Sequence, residues 1–137
     1  MSERVPYEYV VIRVVPRVDR GECINAGVVL ICRPRRFLEA KVALDRQRLR
    51  TLYPALTESV SAEIEAQLHS LPMVARGDPE GGPLARLSMG ERWHLLSAPA
   101  STILQPSPVH TGLCLDPDRE LDELFAALVE ITPAPGV

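Results

Sequence analysis

Gln105, Ser107, His110 and Thr111 fall within one stretch, Pro99 to Gly112, that carries three prolines and no Asp, Glu, Lys or Arg. Ordinary solvent loops carry charge, so this composition suits a rigid loop whose polar side chains face something specific. Gln105 and Thr111 can hydrogen-bond a polar ligand, and Gly112 admits close approach of another group. A Ser or Thr nucleophile would need a neighbouring base, for which His110 and His94 are the candidates. No nucleophile elbow, phosphate-binding glycine loop, dinucleotide fingerprint or zinc-protease pattern accompanies them.

Four further residues have chemistry to offer. Arg13 sits late in an apolar run, where a planar guanidinium needs either a carboxylate partner or an anionic ligand. Glu22 is the natural internal partner, and Glu22 and Asn25 together stand at the entrance of a second apolar run, close to Gly27. Arg92 follows a helix start, where the dipole disfavours positive charge, so a partner elsewhere should hold it. His94, beside Trp93, reads as a packed, hydrogen-bonded histidine ahead of a general base. His69, His94, His110 and the three cysteines lack metal-ligand spacing, so neither a metal nor a cofactor is expected. The arginines of 33–36 and 46–50 read as a solvated basic rim ahead of a phosphate contact.

These residues must be carried by elements that the hydrophobic pattern announces. Residues 7–15 are β-branched and aromatic, with Val10, Ile12 and Val14 on one face and Tyr7, Tyr9, Val11 and Arg13 on the other. Residues 24–33 form a second strand, apolar on both faces over 28–32 and therefore central in its sheet. After a turn at 33–36, residues 37–44 alternate, Leu38, Ala40, Val42 and Leu44 inward, Glu39 and Lys41 outward, as a hairpin strand with one solvated face. Helices follow, capped by Asp45, by Thr57 with a Val60, Ile64, Leu68, Leu71 stripe, and by a Ser88–Glu91 capping box. Residues 77–83 are a loop, and 102–105 and 109–115 are short extended segments. Asp116-Pro117 starts a last helix, whose buried stripe is Leu121, Leu124, Phe125, Leu128 and Ile131. Strands, then helices, then a short β return and a closing helix make an α+β pattern. It predicts an antiparallel or mixed sheet with N-terminal strands, helices packed mainly on one face, and a C-terminal helix.

A chain of 137 residues with 46% hydrophobic side chains is one ordinary domain, taken as 1–131 with a flexible tail at 132–137. Its longest apolar run is strand-length, and its first residues carry no secretory pattern. Three unpaired cysteines then read as buried reduced thiols in a cytoplasmic protein. Residues 1–54 hold eleven Arg/Lys against six Asp/Glu, and residues 55–137 four against twelve, so +5 and −8 make the net −3. Without a net positive field, generic nucleic-acid binding is disfavoured.

Several of these stretches are familiar together. The strand ending Arg13-Val-Val-Pro16, the Gly21-Glu22 pair, Asn25-Ala-Gly-Val-Val-Leu30, Arg92 and the long Pro99–Gly112 motif near Asp116-Pro117 resemble the bacterial domain of unknown function 3037 family over roughly residues 7–130. The resemblance implies no established activity and no assigned catalytic residues. It does imply a partner protein, a kinase like the HipA toxin kinase. The reading that results is a non-catalytic recognition or accessory module, binding an anionic ligand or a partner protein through Arg13, Glu22, Asn25, Arg92, Gln105, His110 and Thr111. The alternative is a hydrolase or nuclease-like enzyme using His and Glu residues, and the sequence leaves open whether any catalysis occurs.

Overall fold

A computed structural model describes residues 3–130. The strands β1 (Val5–Val14), β2 (Ile24–Cys32) and β3 (Phe37–Val42) are followed by helices α1 (Arg46–Leu52), α2 (Glu58–Arg76) and α3 (Met89–Ser97). Two short strands, β4 (Leu104–Pro106) and β5 (His110–Cys114), and helix α4 (Pro117–Leu128) complete the chain. The sheet runs β3-β2-β1, and the outer edge of β1 is shared lengthwise: β5 pairs with Val5–Tyr9 and β4 with Ile12–Val14. Every pairing is antiparallel, so of the two expected sheet types it is the antiparallel one that forms. Ile131 and the tail at 132–137 lie outside the described residues.

The sheet carries a core on each face. Val10, Ile12 and Val14 of β1 join Leu38 and Ala40 of β3 against Leu49 of α1, Ile64 and Leu68 of α2, and Trp93 and Leu96 of α3. On the opposite face Tyr7, Val28, Leu30 and Cys32 meet Cys114, Leu121, Phe125 and Val129. Three helices thus cover one face and α4 the other. β2 is buried on both faces from Val28 to Cys32, as expected of a central strand. Leu30, Leu49 and Leu68 are wholly buried, each contributing roughly 1.5–3 kcal/mol of apolar burial.

The predicted caps form. Asp45, Thr57, Ser88 and Asp116 each accept a backbone N–H of the following turn, and Ser88 with Glu91 makes the full capping box. That exchange holds the Glu91 carboxyl below its ordinary range, because the Ser88 hydroxyl and amide both bind its charged form. α2 runs on through Pro72 and stops at Gly77, whose φ of +71° is a left-handed cap.

Two expectations need correction. The outward face of β3 is only partly solvated, since α4 lies along it: Lys41 remains exposed but stands 5.0 Å over the Phe125 ring and bonds Asp122 at 3.1 Å, and Glu39 is half-buried. Partial burial raises the Glu39 carboxyl accordingly. The three thiols are not all buried. Cys32 and Cys114 are, but Cys23 is exposed in the loop before β2, where no apolar layer covers it.

Candidate functional site

The strands bring three of the singled-out residues into one row. Arg13 on β1 is directly opposite Asn25 on β2 and directly opposite Gln105 on β4. A β-bulge makes this possible. The register slips between Ile12 and Arg13, so Ala26 is the extra residue and both Ala26 and Gly27 turn toward the three-helix face. Asn25 is thereby aimed at the α4 face, where its side-chain amide donates to the Leu128 carbonyl at 3.0 Å. Gly27 earns its place by proximity to β3: a Cβ there would come within 2.8 Å of Val42 Cγ1 and 3.1 Å of the Lys41 carbonyl.

The packing of α4 is against β2 and β3. It leaves a strip along β1, β4 and β5 on which Tyr9, Arg13, Gln105 and His110 stand, all half-buried except the exposed His110. His110 lies opposite Tyr9 and stacks on it, ring centroids 5.1 Å apart and planes inclined by 27°. Gln105 is braced by its own loop, donating to the Thr102 carbonyl at 2.8 Å. Arg13 makes no ion pair among the described residues. Nor is any buried side-chain nitrogen there left without a partner, so its guanidinium meets solvent from a half-buried stem.

The remaining three expected residues stand elsewhere. Glu22 pairs with Arg20 rather than Arg13, because both lie in the loop beyond β1, beside a groove of about 240 Å³ with Tyr53 and Pro54. Thr111 alternates away from His110 and faces the other side, in a groove with Glu8 and Arg33, which pair with each other. Arg92 is held as its position demanded: its guanidinium donates to the Leu87 carbonyl at 2.6 Å and the Ala75 carbonyl at 3.3 Å. It thereby satisfies the orphan Ala75 carbonyl at the end of α2 and ties it to the Leu87 carbonyl just before α3.

The groups an enzyme would need are likewise dispersed. His94 is exposed on α3 while its neighbour Trp93 is buried, which corrects the expectation of a packed histidine: one helix step turns it from core to solvent. His110 pairs with Tyr9, five residues and roughly 17 Å along β1 from Val14, and Glu22 lies beyond that end. Among the described residues no three His, Cys, Asp or Glu side chains gather closely enough to hold a metal ion.

Two further residues help build the strip, Tyr9 from outside the expected set and Ser107 from the proline-rich stretch already singled out. Tyr9 supplies the stacking surface, and its shared parity with Arg13 was the available signal. Ser107 is buried and fills the gap between β4 and β5, its hydroxyl accepting from the Val11 amide at 2.9 Å. No helix of the described residues is long and apolar enough to cross a membrane. Residues 9–129 match the family described as Protein of unknown function (DUF3037), and the chain belongs to that family. No curated protein and no solved structure matches it.

Proposed function

We propose that this member of the family is a non-catalytic recognition module of the cytoplasm, whose β1–β4–β5 strip takes the anionic group, carboxylate or phosphate, of a partner protein. Arg13 carries the reading: a guanidinium on a half-buried stem, between two amide-bearing residues, with no carboxylate paired to it among the described residues. A planar fork so placed binds a carboxylate or phosphate oxygen pair with two parallel hydrogen bonds. Asn25 and Gln105 have their amide nitrogens engaged with backbone carbonyls, which fixes them as rigid walls beside that fork. Tyr9 and His110 add a flat aromatic surface further along β1. Glu22, Arg92 and Thr111 have no part in this strip. The partner favoured by the family resemblance is a kinase like the HipA toxin kinase.

Titration of the isotopically labelled chain with inorganic phosphate, and separately with acetate, tests the anion site. Saturable shifts of the Arg13 guanidinium and Gln105 amide resonances are expected, and Arg13→Gln should abolish them while leaving the fold intact. Shifts that are absent, or that persist in Arg13→Gln, would overturn the assignment. Co-purification of the kinase with wild type but not with Arg13→Gln tests the partner.

A further inference from the structure

We propose that two copies of this chain associate through β5, antiparallel to one another about a two-fold axis at Gly112, so that two sheets become one. The surface is the outer backbone edge of β5 and does not include Arg13; only His110 belongs both to this strand and to the Arg13 strip.

The three open edges of this sheet are not equally defended. Natural edge strands avoid pairing with other chains by carrying charge, proline or a covering element. β3 carries Glu39 and Lys41 and has α2 and α4 packed against it. β4 is three residues long and ends at Pro106, with Pro108 close behind. β5 itself (His110–Cys114) carries no acid, lysine, arginine or proline, and among the described residues it pairs with β1 on one side only. Leu113 on it, and Val109 and Leu115 just beyond its two ends, are exposed by 60%, 44% and 53%. With Thr111 they share one face of the strand by alternation.

The identity of the occupant follows from charge and register. Between Val109 and Leu115 there is no carboxylate, guanidinium or ammonium group. Along this length a second β5 sets neutral side chains against neutral ones, while the charged groups nearby, Arg4, Arg119, Glu120 and Glu123, line the groove beside Leu113–Leu115 and carry both signs. With the axis at Gly112, Val109 lies opposite the partner's Leu115 and Thr111 opposite the partner's Leu113, so each exposed apolar side chain gains a cross-strand neighbour. Moving the axis to residue 111 would set Leu115 against the partner's Ser107, which is committed to β1. Moving it to residue 113 would set Val109 against the partner's Pro117, where α4 begins. On the other face the Tyr7 ring already covers Gly112, where a Cβ would come within 2.6 Å of the phenol oxygen, so no side chain crowds the axis. Such a contact is isologous and closed, which yields a dimer rather than a filament.

Light scattering on the eluting chain, over a rising concentration series, is the test. The mass should climb from 15.1 kDa to twice that value, and hydrogen exchange at the outward β5 amides should slow in parallel. Leu113→Lys and, separately, Val109→Lys should each weaken the dimer about tenfold or more, because each change is made twice per interface. Both side chains are solvent-exposed, and unchanged circular dichroism would show that the monomer still folds. A 15.1 kDa mass at every concentration would overturn the proposal, as would a dimer indifferent to both substitutions. So would a β5 protected only when a different protein is added.

Discussion

The Ser107 hydroxyl stands in for a backbone carbonyl against Val11. It accepts the Val11 amide at 2.9 Å and donates to the Pro108 carbonyl at 2.9 Å, while the Ser107 amide donates to the Val11 carbonyl at 2.8 Å. Val11 is the point at which β1 changes partner from β5 to β4, so its amide faces a gap in the ladder. One side chain closes that gap and holds the two short strands in line along a single edge.

Ser107→Ala should therefore strand a buried amide. The expected cost is about 1–3 kcal/mol, read as a lower denaturant midpoint with an unchanged slope. An unaltered midpoint would mean that water satisfies Val11 equally well.

Arg92→Leu should weaken the fold and spare the anion site. Its loss exposes the Leu87 and Ala75 carbonyls without their donor, at about 1–3 kcal/mol. The phosphate-dependent shifts at Arg13 should survive at temperatures where the variant is folded. Loss of those shifts in a folded Arg92→Leu chain would return Arg92 to the binding surface.

Tyr7 should make the fold alkali-sensitive. Burial, reinforced by the nearby Glu120 carboxylate, pushes its phenol up to about 12. The folded state thus favours the neutral phenol more than the unfolded chain does. The associated stability is whole below about pH 10 and is lost as pH rises toward 12. Melting temperatures of wild type should fall more steeply across that window than those of Tyr7→Phe. Parallel curves for the two proteins would contradict the shift.

Much of the architecture was legible in the chain itself, because local patterns encode local structure. Alternation assigned Val10, Ile12 and Val14 to one face and Arg13 to the other, and the polar caps marked where all four helices begin. The candidate site was legible only in part. Arg13, Asn25, Gln105 and His110 do share one face, but Glu22, Arg92 and Thr111 do not join them. Glu22 could by its sequence serve Arg13 or another nearby arginine, and the fold gives it Arg20, two residues away in the same loop. Thr111 is one residue from His110, and in a strand one residue is enough to change faces.

Residue type and spacing determined which segments become strands and helices, and which face of each is apolar. Only the folded chain decided which polar residues meet, because that depends on strand register, on the extra residue at Ala26 and on where α4 lies across the sheet. Those are outcomes of contacts between segments far apart in the chain, and a one-residue slip in any of them would carry Asn25 away from Arg13.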